Sequence, residues 1–191
     1  MNINKGLDQL KEKFADPHFQ RNDGLSNQIG YYLVSYNPKD EMTIRYFAES
    51  IKGASDYHPI VVDLYDVLMQ YLEEEYLLEE IDEVESDSGD EQVCKRMTTN
   101  WLSSKKMKRI IEMIDYGEHK PGDILILVGI GKAYPFLRLH ALLECMGDTF
   151  RDIPVVSFYP GRYDGRQIIL FNKFFDDNHY RSFELINLWE N

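Results

Sequence analysis

The sequence predicts an α/β domain in three layers: a mainly parallel central sheet of about five strands, an antiparallel C-terminal hairpin strand, and a long helical pair inserted mid-chain. Three observations lead there. Short β-branched or aromatic runs recur along the chain, each bounded by Pro, Gly or Asn-Pro. Runs with helical spacing separate the first four of them. Only six residues, from Pro160 to Gly165, precede the last one, too few for a crossover, so that strand must fold back as a hairpin.

The elements follow in order. Leu7, Leu10 and Phe14 share one helical face, and Asp16-Pro17 ends that helix. Ile29 to Tyr36 (IGYYLVSY) reads as the first strand, closed by Asn37-Pro38. A helix capped near Asp40 carries Met42, Ile44, Phe47 and Ile51 to Gly53. Pro59 opens the short strand IVVDL, and Leu64, Leu68 and Leu72 continue as a long helix. A second long helix is expected from about Val93 to Tyr116, stopped by Gly117 and Pro121. Asp123 to Val128 (DILILV) is the most continuously apolar run and suits a central strand covered on both faces. A helix with Phe136, Leu139, Leu142, Leu143 and Met146 follows it. VVSFY and IILF are the last two strands, and Asp176-Asp177-Asn178-His179 reads as a helix N-cap with acids in its first turn.

Composition bounds the function. With 191 residues, 43% hydrophobic and 28% charged, the chain is expected to be one globular domain over residues 1–191. No apolar run approaches the ~20 residues of a membrane helix. The amino terminus has no apolar signal core, and Cys94 and Cys145 lack metal or redox spacing, so a soluble cytoplasmic protein is the expectation. The net charge of −12 is not spread evenly: eleven acids and no Lys or Arg lie between Leu72 and Gln92. An acidic mobile loop is expected near 83–92. The one basic cluster, Lys105, Lys106, Lys108 and Arg109, is a thin footprint for phosphate, which argues against direct nucleic-acid binding.

No constellation amounts to a reaction. Gly129-Ile-Gly131-Lys132-Ala133 is a glycine-lysine turn between strand and helix, where backbone amides could cradle an anion. It fails a Walker A pattern at Ile126 and Ala133 and a dinucleotide fingerprint at Tyr134. An ordinary strand-to-helix connection explains the same letters. The possible anion-binding set is Gly129, Gly131, Lys132 and Arg138. Two carboxylates and an imidazole at Asp176–His179 resemble metal ligands, but no second cluster completes a coordination sphere, and no metal or cofactor is assigned. There is no GxSxG. At FYPGRYDGRQIILF, Gly161 and Asp164-Gly165 satisfy hairpin turn chemistry, which leaves Tyr159, Arg162 and Tyr163 gathered at one tip. Aromatic-plus-arginine loops are the composition of binding hot spots, so these three are the candidate partner-binding residues.

LSNQIGYYLVSYNPKDEMTIR, IVVDLYDVLMQYLE, DILILVGIGKAYPFLRLHALLE, PVVSFYPGRYDGRQIILF and DDNHYRSFELI together resemble the successive blocks of the BrxB family of BREX bacteriophage-exclusion systems. The most specific pieces are GxGxxYPFLRxH (Gly129, Gly131, Tyr134, Pro135, Phe136, Leu137, Arg138, His140), YPGxYDG and DDNxYR. The resemblance implies a non-enzymatic component of a defence operon whose neighbours include a DNA methyltransferase, a large ATPase and PglZ, an alkaline-phosphatase-superfamily protein. It also implies PglZ as a direct partner and brings no catalytic residues. The alternative from another class is a nucleotide- or phosphate-binding regulatory domain with a degenerate glycine-lysine loop.

Overall fold

The computed structural model describes residues 3–22, 30–147, 149–163, 168–176 and 182–189. Helices α1 (Ile3–Phe14) and α2 (Pro17–Gln20) lead into strand β1 (Tyr31–Tyr36). Asp16 caps α2 by accepting from the His18 amide at 2.9 Å, and Pro17 supplies the preset first helical position. A single 3₁₀ turn at Pro38–Asp40 starts α3 (Glu41–Ile51), and β2 (His58–Asp63) runs directly into α4 (Leu64–Glu74). Then come α5 (Leu77–Ser88), α6 (Asp90–Arg96), a π-helical turn at Met97–Trp101 and α7 (Ser104–Ile114). Strand β3 (Asp123–Val128), α8 (Ile130–Ala133), α9 (Leu139–Met146), β4 (Val155–Tyr163), β5 (Ile168–Leu170), β6 (Phe174–Asp176) and β7 (Phe183–Asn187) complete the described elements.

Five strands run parallel in the order β2-β3-β4-β1-β7. The alternation of side chains along the strands sorts the core into two layers. Ile124, Ile126, Val128, Val156 and Phe158 pack with α1, α2 and α3. Leu125, Leu127, Val155 and Tyr159 pack with α4 through α9. All six residues of β3 are buried, as its unbroken apolar run requires. Among the described residues no helix is long and apolar enough to cross a membrane.

Three expectations are corrected. The segment near 83–92 is helical, with Gly89 (φ +78°) the single break between α5 and α6. Leu77, Ile81 and Val84 recur at helical spacing and seat α5 on the core, a seam that begins before the densest acids. The expected long helix from Val93 to Tyr116 is three pieces, because the π turn at Met97–Trp101 interrupts it. The C-terminal segment is a strand: β7 pairs in parallel with β1, shifting register between Leu33 and Val34, and the Ser35 hydroxyl donates to Glu184 at 2.8 Å. Of the proposed N-cap, Asp177, Asn178 and His179 lie outside the described residues. Arg109 of the basic cluster pairs with Glu74 of the acidic band at 2.8 Å.

Candidate functional site

The glycine-lysine turn is occupied by the protein itself. Asp63, at the carboxyl end of β2, caps α4: one carboxylate oxygen accepts from the Tyr65 amide at 2.9 Å. Its other oxygen lies 2.9 Å from the Lys132 ammonium, which also sits over the Tyr65 ring at 4.9 Å. Gly129 holds φ +74°, and a Cβ there would stand 2.0 Å from the Asp63 carboxylate. An internal carboxylate thus fills the position from which a phosphate would approach this turn. Gly131 has its own structural reason, since a Cβ would come within 2.8 Å of the Phe171 ring and 3.0 Å of Pro160. Gly129 and Lys132 are brought together at Asp63, Gly131 packs against Phe171 and Pro160, and Arg138 lines an apolar cleft.

That same edge of the sheet carries a second charged set. The buried Tyr36 hydroxyl donates to Glu41, which also accepts from Arg45 at 3.0 Å. Burial, and then the Glu41 carboxylate, push the Tyr36 phenol well above its ordinary range.

Beyond Pro160, β4 leaves the parallel sheet and enters a three-stranded antiparallel ribbon. Arg162 stands opposite Ile169, and Ile169 opposite Phe175, so these three form one cross-strand row. Gly161 opposite Leu170, and Leu170 opposite Phe174, form the neighbouring row on the other face. Gly161 admits close strand approach: a Cβ there would meet the Ile169 carbonyl oxygen at 2.1 Å. The ribbon's inner face closes on α8 through Leu170 and Phe171, with the Tyr134 and Phe174 rings 5.2 Å apart.

The ribbon separates the candidate partner-binding residues. Tyr159 is 4% exposed, and strand alternation places it with Val155 in the core, away from the hairpin tip; its ring reaches only the floor of the cleft that Arg138 lines. Arg162 is exposed and its guanidinium stacks on the Trp189 ring at 4.6 Å. Tyr163 is half-buried and joins Arg162, Asn187 and Trp189 around a small open cleft. On this ribbon, the exposed aromatics that sequence reasoning missed are Phe174 (45%) and Phe175 (69%). Two adjacent phenylalanines in a strand cannot both face one core layer, and that was the available signal. Among the described residues no group of three His, Cys, Asp or Glu side chains could hold a metal.

Comparison with known proteins adds the ancestry. Residues 60–185 match the family model for BREX protein BrxB. A BREX protein BrxB from Bacillus cereus (strain H3081.97) is 34% identical over 189 residues, covering 97% of this chain and 98% of the relative. The chain belongs to the BrxB family. A second BrxB, from Escherichia coli O9:H4 (strain HS), is 26% identical over 184 residues, 94% of this chain and 90% of that relative. No solved structure matches. The motif GxGxxYPFLRxH, on which the BrxB resemblance rested, supplies Gly129 to the Asp63 contact, Gly131 to the close approach of Phe171 and Pro160, and Tyr134, Leu137 and Arg138 to the cleft beneath the ribbon.

Proposed function

We propose that this BREX component is a non-catalytic adaptor that docks a larger protein of its system, a PglZ-type member of the alkaline phosphatase superfamily, in the cytoplasm. The observation that carries the reading is the ribbon's outer row, where Phe175, 69% exposed, stands in line with Ile169 and Arg162, and Arg162 stacks on Trp189. A large aromatic left in water on the same cross-strand row as a preorganised guanidinium, with Ile169 between them, is the composition of an interface anchor. The cation–π contact holds the Arg162 side chain before a partner arrives, which lowers the entropy lost on binding. The nucleotide alternative draws less support, because Lys132 is committed to Asp63.

The test is coexpression of the full chain with the PglZ-type protein of the same operon, followed by affinity purification and size-exclusion chromatography. The adaptor reading expects a stoichiometric complex that survives at micromolar concentration. Two folded proteins that elute separately would refute it.

A further inference from the structure

Between the α8–α9 connection and the ribbon lies an open cleft lined by Tyr134, Leu137, Tyr159, Leu170 and both Phe174 and Phe175, with Arg138 at its rim. The Arg138 side chain is exposed and has no hydrogen-bond or ion-pair partner among the described residues. A guanidinium next to an apolar floor is complementary to a ligand that carries a carboxylate beside an apolar group. Along one side of the cleft runs β6, which among the described residues pairs only with β5. Among the described residues nothing pairs with its outward backbone groups, the groups a further strand would use. Charged or proline side chains usually blunt such an edge; here Asp176 ends the strand, but the two residues before it are Phe174 and Phe175, both exposed.

We infer that the cleft receives an extended segment of a partner protein, laid along β6 as an added strand, with an apolar side chain in the cleft and an acidic one on Arg138. In an extended chain, side chains two residues apart share a face. The recognised pattern is accordingly an acid two positions from a bulky apolar residue. Main-chain pairing supplies affinity and the two side chains supply selectivity. A basic segment is rejected by Arg138. The inference rests on the docking reading above and names its chemistry.

The experiment selects a displayed library of random peptides against the immobilised full chain and measures the enriched peptides by fluorescence anisotropy. The expected result is a consensus with Asp or Glu two positions from Leu, Ile or Phe. Affinity should fall about tenfold or more with Arg138→Glu and with Phe174→Ser, and less with Arg138→Lys. Replacing the peptide's acid by Lys should restore binding to Arg138→Glu. Amide exchange at Phe174–Asp176 should slow on binding. Circular dichroism melts confirm that the Arg138 variants are folded, since that side chain is exposed. No consensus, a basic consensus, equal binding to Arg138→Glu, or unchanged exchange in β6 would each overturn the inference. So would a dimer of the chain that Phe174→Ser dissociates, because a second copy would then be the occupant. The selection uses no PglZ-type protein, so the adaptor reading can fail on copurification while this one stands. A complex that forms equally well with Arg138→Glu and Phe174→Ser would leave the adaptor and remove the added strand.

Discussion

The Lys132 ammonium lies 2.9 Å from the Asp63 carboxylate, joining the first turn after β3 to the last residue of β2. Asp63 also holds the first turn of α4. One side chain therefore ties two strand-to-helix junctions at the carboxyl edge of the sheet. Asp63→Ala is expected to lose about 1 kcal/mol for the cap alone. It also frees the Lys132 charge at the glycine turn. Urea denaturation checks the first effect, and binding of inorganic phosphate by the variant but not by the parent checks the second.

Gly129 and Gly161 are predicted to resist substitution for different reasons. Gly129→Ala combines φ +74° with a 2.0 Å approach to Asp63 and should cost at least about 1–3 kcal/mol. Gly161→Ala drives a methyl into the Ile169 carbonyl, and backbone cannot yield without unpairing β4 from β5. A loss of about 1–3 kcal/mol or more is expected, with faster amide exchange at Ile168–Leu170. Gly53→Ala, with nothing within 4 Å of the added carbon, is the control and should change stability by less than about 0.5 kcal/mol. Denaturation midpoints of the three variants settle the ranking.

Position in the sheet, more than residue type, sets the cost of truncating isoleucine. Ile126 is fully buried in central β3, and Ile126→Ala should cost about 2–5 kcal/mol. Ile60 sits in edge strand β2 and is only partly buried, so Ile60→Ala should cost clearly less. Equal losses in equilibrium unfolding would contradict the strand order.

Alkaline pH should destabilise the protein through its tyrosines. Burial, then Glu41, raises Tyr36; burial, then the hydrogen bond to Asp123, raises Tyr116. Burial also raises Tyr32, Tyr57 and Tyr71. Folded values above the ordinary 10.0 mean that the contribution is fully present below pH 10 and is lost as pH rises through the folded values. Melting temperatures measured up the alkaline limb should decline from about pH 10 upward. Tyr36→Phe should make that decline shallower, and an unchanged slope would show that Tyr36 does not contribute.

Phe175→Asp tests the docking row without threatening the core, because the ring is 69% exposed. The parent and variant should melt alike, while affinity for the PglZ-type partner should fall about thirtyfold or more, the scale of a hot-spot residue. Arg162→Ala should weaken the same complex and alter Trp189 fluorescence by removing the stacked guanidinium. Retained affinity in both variants would move the interface elsewhere.

How much of this was legible in the chain differs by element. DILILV could only be a central strand, because an uninterrupted apolar run must be covered on both faces. Leu7, Leu10 and Phe14 likewise mark the buried face of α1 by their spacing alone. FELIN did not announce β7, since its exposed residues, Phe183 and Glu184, are adjacent and five residues show no period of two. The acidic band hid α5 because charge density masks a seam as sparse as Leu77, Ile81 and Val84.

The amino-acid sequence by itself settled the layered α/β class, the hairpin return after Pro160 and the family. These depend on local periodicity, turn chemistry and matching letters, all of which are properties of neighbouring residues. Only the tertiary structure decided that Asp63 fills the glycine-lysine turn, that Tyr159 is core while Phe175 stands in water, and that Arg138 overlooks an apolar cleft. Each of those depends on which strand lies beside which. Asp63 and Lys132 are far apart in the chain and meet because β2 and β3 are neighbours, a pairing set by the summed burial of two core layers rather than by any short stretch.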